Sequence, residues 1–397
     1  MLSVIRRNAY SEFGYNTEPK GRMMWNKTRG PVRLLMTPGP VEVSPRVLQA
    51  LSRPQTYHYY KGFIDFFAES TEKMKKIFQT KKDVLILQAE GVLGLEAAVA
   101  NTIDPGDKVL VLDSGPFGKW FGEYVANYGG KVSELSCEYN DAIDPSKVKE
   151  RLDTEKDIKA MTVVHCETPA GILNPIEELC PLAKNKGILT IVDAVASLGG
   201  VDVRPDEWGI DICITASQKA ISAPPGLTMM SMSPYSWEVI ERKKKPIKNS
   251  YLSLTDWREA WIKNKRFPFT PFVSEMYALG EAADELLEEG LQNSFARHEA
   301  VAEECRRGVE RLGMKLWPRR REICSDTVTA IDIPEGYTDV EIVNTMVEKY
   351  GVLIGGGFRE TKGQLLRIGH MGYQASMTNI LTTLGAMERT LGELKKC

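Results

Sequence analysis

The stretch GILTIVDAVASLGGVDVRPDEWGIDICITASQKAISAPPGLTMMSMS, residues 187–233, decides the fold. It carries three short apolar runs, GILTIVDAV (187–195), DICITAS (211–217) and LTMMSMS (227–233), parted by connections rich in Gly, Pro and charge. Runs that are apolar at consecutive positions, and this short, are strands covered on both faces. Asp193 closes the first run, and Gln218-Lys219 follow the second, ahead of the rigid Pro224-Pro225-Gly226. In an open α/β sheet, ligands bind beyond the carboxyl ends of the strands. The stretch therefore sets a carboxylate and an amine on one rim.

The same pattern extends outward. VLIL (84–87), KVLVLDSG (108–115) and AMTVVHCET (160–168) read as further strands, and helices are predicted over about 95–101, 117–130 and 176–186. Strand–helix alternation implies an α/β fold: a mostly parallel sheet sandwiched by helices. From about Gly280 the pattern changes. Helical segments at 283–287 and 294–312, the run TVTAIDIP (327–334), a helix at 340–350, the runs GVLIGGG (351–357) and QLLRIGH (364–370), and a helix at 378–395 describe a smaller α+β domain. The expected organisation is an N-terminal arm at 1–30, a large domain at 31–285 and a small one at 286–397.

Composition narrows the function classes. With 397 residues, 43% hydrophobic and 26% charged, the chain is an ordinary globular protein. Its 51 Lys+Arg against 53 Asp+Glu give a net charge of −2, without the basic excess of a nucleic-acid binder. No apolar run approaches the roughly 18–20 residues of a membrane span. The seven cysteines are scattered and show neither a C-x-x-C pair nor a zinc spacing, so reduced thiols in a cytoplasmic protein and no metal site are expected. Arg6-Arg7 near the start hint at an organellar presequence, and Glu12 and Glu18 argue against one.

The residues at the strand ends carry the chemistry. A partly desolvated Lys219 can form a Schiff base with a carbonyl, where the plainer reading is a surface lysine. Asp193 can keep a heterocyclic nitrogen protonated, or simply cap a turn. Phe117, in the turn SGPFG (114–118), can stack on a flat ring or tuck beneath its helix. The Thr168 hydroxyl can bond a ring oxygen or orient Asp193, whereas His165 reads as an interior histidine. The loop QAEGVLGLEAA (88–98) leads into a helix N-terminus, a general anion site, yet Glu90 puts an anion there already. Arg367, in QLLRIGH, suits bidentate capture of a carboxylate. Arg359 and Tyr59 are further substrate-pocket candidates, with a surface ion pair the plain alternative for Arg359.

Together these motifs resemble the class V (fold type I) aminotransferases, especially the alanine–glyoxylate and serine–pyruvate branch. The resemblance rests on MTPGPVEVSPRVL (36–48), LGLEAAVANTIDPGDKVLVL (93–112), HCETPAGILNPI (165–176), DAVASLGG…ITASQKAISAPPGLTMM and LRIGHMG (366–372), in family order. It implies pyridoxal 5'-phosphate as cofactor, bound covalently by Lys219, with Asp193 at the pyridine nitrogen, Phe117 on the ring face and Thr168 at the ring oxygen. It also implies Arg367 on the substrate carboxylate, and a phosphate cup of Glu90, Gly91, Val92 and Gln218, with Thr270 supplied by the partner of a homodimer. Two departures stand out: Ala89-Glu90-Gly91-Val92 replaces a Ser/Gly-rich phosphate loop, and Phe267 in FPFTP (267–271) replaces a tyrosine. Two like charges about 4 Å apart repel by roughly 4 kcal/mol at an effective dielectric of 20. The acidic residue before VLGLEAA, with APPGLTMM, FPFTP and RIGHMG, is similar to the pyridoxamine–pyruvate aminotransferases, which use unphosphorylated pyridoxamine and pyridoxal as substrate and product. Phe358 stands where those enzymes carry an arginine, with Arg359 next to it. The expected activity is amino transfer between pyridoxamine or a small amino acid and a small 2-oxo acid. The alternatives are alanine/serine–glyoxylate transfer, a same-fold cysteine desulfurase with Cys324 as its thiol, and a non-catalytic vitamin carrier.

Overall fold

The computed structural model describes residues 30–395. The arm expected over 1–30, apart from Gly30, and Cys397 lie outside them. In chain order the strands are β1 (Leu34–Met36), β2 (Asp83–Gln88), β3 (Lys108–Asp113), β4 (Lys131–Ser136), β5 (Ile158–Val164), β6 (Cys166–Glu167), β7 (Ile172–Leu173), β8 (Leu189–Asp193), β9 (Ile212–Ala216), β10 (Leu227–Met232), β11 (Val328–Asp332), β12 (Val352–Gly356) and β13 (Leu365–Gly369). The helices are α1 (Pro45–Leu51), α2 (Lys61–Ile77), α3 (Gly91–Thr102), α4 (Pro116–Asn127), α5 (Pro145–Thr154), α6 (Ile176–Lys184), α7 (Pro234–Glu241), α8 (Leu254–Trp257), α9 (Val273–Glu289), α10 (Leu291–Arg311), α11 (Asp339–Thr345) and α12 (Met377–Leu394).

The main sheet has seven strands in the order β2-β10-β9-β8-β5-β3-β4. β8 and β9 are buried along their whole length, as expected of strands with helices on both faces. Neighbouring strands from β9 through β8, β5 and β3 to β4 pair in parallel. β10 runs antiparallel between β2 and β9, joined to β9 through the short turn that holds Lys219. The sheet is thus mostly parallel. The carboxyl ends of β2, β3, β5, β8 and β9 share one edge. β4, absent from the sequence reading, is an edge strand whose exposure alternates, so its KVSELS pattern lacks the continuous apolar signature.

A second sheet has the order β1-β12-β13-β11 and its own core, with Met36, Val309, Ile354 and Met387 buried. Leu34–Met36, from the start of the described chain, pair in parallel with Val352–Ile354. The helix predicted in two pieces around Gly290 is two helices, α9 and α10, hinged where Gly290 takes φ 83°. That left-handed angle suits glycine and stops α9 there. Among the described residues no helix is long and apolar enough to cross a membrane.

Helix α3 lies close on the sheet because Gly94 has no side chain. A β-carbon there would stand 2.5 Å from Thr228 Cγ2 and 2.7 Å from Ile214 Cγ2. Gly94→Val should therefore overpack this seam and lower stability by about 1–3 kcal/mol. Chemical denaturation checks this, and an unchanged midpoint would show that the helix gives way freely.

Candidate active site

A cavity of about 340 Å3 opens at the shared edge of the strands, and Asp193 and Lys219 both line it. The carboxyl ends of β2, β3 and β5 add the remaining expected walls: Glu90, Gly91 and Val92, then Phe117, then Thr168, with Gln218 beside Lys219. Eight of the twelve candidate residues thus meet in one space.

Lys219 sits in a tight turn in which the Ser222 N–H donates to the Lys219 carbonyl at 2.8 Å and the Ala223 N–H to the Ser217 carbonyl at 2.9 Å. Its Nζ donates to the Pro38 carbonyl at 2.5 Å. Burial, joined by the charge of Arg367, brings the amine down to about 8 against the opposing pull of Cys166, Asp193 and Glu90. Asp193 is 5% exposed, and its Oδ1 accepts the Val195 N–H at 2.8 Å. Burial pushes its carboxyl up to about 7, against the pull of that hydrogen bond and of Lys219. Each group is thus poised to gain or lose a proton near neutrality.

Of the further lining residues that the sequence reading missed, three shape the cavity through contacts of their own. Gly39 takes φ 112°, and a β-carbon there would collide with the Lys219 chain, so only glycine lets the loop close over the amine. Its signal was present in MTPGP, read only as part of a resemblance. Trp120 follows Phe117 by one helical turn and stacks near-parallel to it, centroids 5.8 Å apart. Cys166 is buried at the wall, its thiol bonded to the Ser325 hydroxyl at 3.1 Å and pushed up to about 11 by burial.

The end of the cavity beside α3 is unlike an anion site. The Val92 N–H donates to Glu90 Oε1 at 3.2 Å and the Leu93 N–H to the Glu90 carbonyl at 3.1 Å, so the helix start is capped from within the chain. Gln218 Nε2 donates to Glu90 Oε2 at 3.3 Å, which turns the amide oxygen, buried and without a partner, into an orphan acceptor. An amine, a facing carboxylate and an aromatic wall fit a pyridine ring bearing an aldehyde. The far end offers acceptors, which suit a hydroxyl better than a phosphate.

Four candidates lie off the cavity wall. Arg367 Nε donates to the Gly356 carbonyl at 2.7 Å, and its charge is felt at Lys219. Arg359 is exposed, takes φ 50°, and lays its guanidinium 4.2 Å over the Trp120 ring with Glu123 3.6 Å away. Tyr59 is 46% exposed, its ring 4.2 Å from His58. Thr270 is exposed, and its carbonyl accepts from Gln88. Phe267 is 4% exposed and packs within an aromatic cluster with Trp261, 5.2 Å away. His165 is an interior residue bonded to the Ser197 hydroxyl at 2.9 Å and brought down to about 3 by burial. Cys324 bridges to Ile172 away from the cavity, and burial pushes its thiol up to about 11, opposite to what a desulfurase thiol needs.

Comparison with known proteins agrees with this geometry. The family model for class-V aminotransferases matches residues 46–376. The pyridoxamine–pyruvate transaminase of Mesorhizobium japonicum is 38% identical over 354 residues, 89% of this chain and 90% of that protein. The alanine–glyoxylate aminotransferase of Mus musculus is 30% identical, over 92% and 89% of the two chains. The crystal structure of pyridoxamine–pyruvate aminotransferase from Mesorhizobium loti superposes with a TM-score of 0.89 at 37% identity, covering 91% of this chain and 92% of that one. Enzymes of this kind depend on pyridoxal phosphate chemistry. By the match over most of its length, this chain belongs to the class-V aminotransferase family.

Proposed function

We propose that this aminotransferase moves the amino group of unphosphorylated pyridoxamine to a small 2-oxo acid such as pyruvate, with pyridoxal as the other product. The observation that carries the reading is Glu90, whose carboxylate caps the α3 N-terminus where a phosphate would be held. A carboxylate there repels phosphate and accepts a hydrogen bond from a neutral hydroxymethyl group. The orphan Gln218 oxygen adds a second acceptor at the same end.

The pyridine ring, when bound, supplies the electron sink. Lys219, as a neutral amine, would hold the ring covalently through its Nζ and would take up and return a proton at that atom. Asp193, a buried carboxylate, would keep the ring nitrogen protonated. Phe117 would cover one ring face, and Thr168 would orient the ring oxygen side. Arg367 grips the carboxylate of the oxo acid, with Arg359 at the rim and Tyr59 as further substrate contacts. Thr270 acts in the partner's site of a homodimer. The large domain at 31–285 holds the ring and the small domain at 286–397 supplies Arg367. Six described cysteines are unpaired, which fits a cytoplasmic enzyme.

The test is to purify the protein without added vitamin, measure the B6 form it carries, and assay pyridoxamine plus pyruvate against alanine plus glyoxylate. Turnover of the first pair without retained phosphate ester is expected. Tightly held pyridoxal phosphate at one per chain, with alanine–glyoxylate turnover, would establish the other branch. Glu90→Ser should tighten pyridoxal phosphate binding by about tenfold or more, since 1.4 kcal/mol of relieved repulsion suffices for that.

Lys219→Ala should cut turnover by roughly 10²–10⁴-fold or more, and an intact rate would remove Lys219 from catalysis. Raising the pH takes the proton off Lys219, so its reaction with pyridoxal should accelerate through about pH 8 and then level off. A midpoint near that of a free lysine, about 10.4, would show that the amine is not desolvated.

A further inference from the structure

We propose that Glu167 is the positioning residue of the aromatic wall, fixing Phe117 against the cavity by capping helix α4 from another element. The inference rests on the reading above that Phe117 stacks on the pyridine ring.

The N-cap of α4 is Gly115, which has no side chain to satisfy the first-turn N–H groups. Glu167 does so in its place. Its Oε1 accepts the Phe117 N–H at 3.0 Å and its Oε2 the Gly118 N–H at 3.1 Å. The fit is close: a β-carbon on Gly115 would collide with the Glu167 side chain. Glu167 is fully buried on β6, between Cys166 and Thr168, which both line the cavity. One carboxyl group therefore ties two walls together, the β6 wall through its own backbone and the α4 wall through Phe117.

Around the ring, the other contacts are weakly directional. Trp120 and Phe358 lie near-parallel to Phe117, at 5.8 Å and 6.0 Å between centroids, and such stacks slide easily. The two hydrogen bonds that Glu167 accepts set the depth of the Phe117 backbone. Burying a carboxyl is costly, and burial pushes this one up to about 8. A cap needed only for the helix would be met more cheaply by Ser, Thr or Asp at the N-cap itself.

The experiment is a double-mutant cycle read by pyridoxal binding and by the induced circular dichroism of the bound vitamin, which reports ring orientation and not fold stability. Glu167→Ala and Phe117→Ala should each weaken binding by roughly tenfold and reduce the induced signal, and the double variant should be no worse than Phe117→Ala. Glu167→Gln should fall between, because an amide oxygen accepts one of the two N–H groups. It carries the same cycle should Glu167→Ala fail to fold. Wild-type binding and dichroism in the Glu167 variants, or losses that add in full to that of Phe117→Ala, would overturn the proposal while leaving the ring-stacking role intact. Unaltered binding in Phe117→Ala would instead overturn the ring-stacking reading, and this role with it.

Discussion

Enclosing an amine and a carboxylate in the same cavity is the constraint on which the rest of the structure depends. Water stabilises both charged forms, and burial withdraws it, so Lys219 moves down and Asp193 moves up until both sit near neutrality. Holding them so requires rigid support from every side. The parallel strands β8 and β9 deliver the two residues to one edge, in register from Ile191 and Ile212 to Asp193 and Ile214. The turn behind Lys219 is closed by backbone hydrogen bonds, and the loop in front of it turns on Gly39, whose φ of 112° is one that side-chain-bearing residues rarely adopt.

A second regularity lies in how the helices meet the cavity. Helix N-termini at the carboxyl edge of such a sheet usually present open donors to an anion. Here α3 begins under Glu90, which takes up the Val92 and Leu93 N–H groups, and α4 under Glu167, which takes up those of Phe117 and Gly118. At both helix ends, donors that would otherwise attract a negatively charged ligand are taken up from within the chain. The positive pole left in the cavity is Lys219, with Arg367 behind it.

Much of this was legible in the sequence, for identifiable reasons. Buried strands write themselves as unbroken apolar runs, so β2, β3, β8, β9 and β10 are readable to within a residue or two, while the run 160–168 overshoots β5 by four residues and takes in β6. The residues just past their ends, Asp193, Lys219, Phe117, Thr168 and Glu90, converge as the strand topology requires. What escaped was set by distant packing. Gly39 matters only because Lys219 arrives from the other side of the chain. Glu167 sits in a two-residue strand too short to show a pattern, and its partners are the backbone of a helix fifty residues earlier. β4 alternates and so hid among polar residues, and the antiparallel sense of β10 leaves no trace in composition. Trp120 falls inside the helix predicted over 117–130, where nothing local says that it would stand over a cleft.

Leu34–Met36 belong to the small sheet, yet the next residues cross to the large one, where the Pro38 carbonyl holds the Lys219 amine. The small sheet thus borders the amine at two points, through the backbone that leaves β1 and through Arg367 on β13, whose charge is felt at Lys219. The amine rests between both sheets, carried by the large one through its own chain and met by the small one through the Pro38 carbonyl.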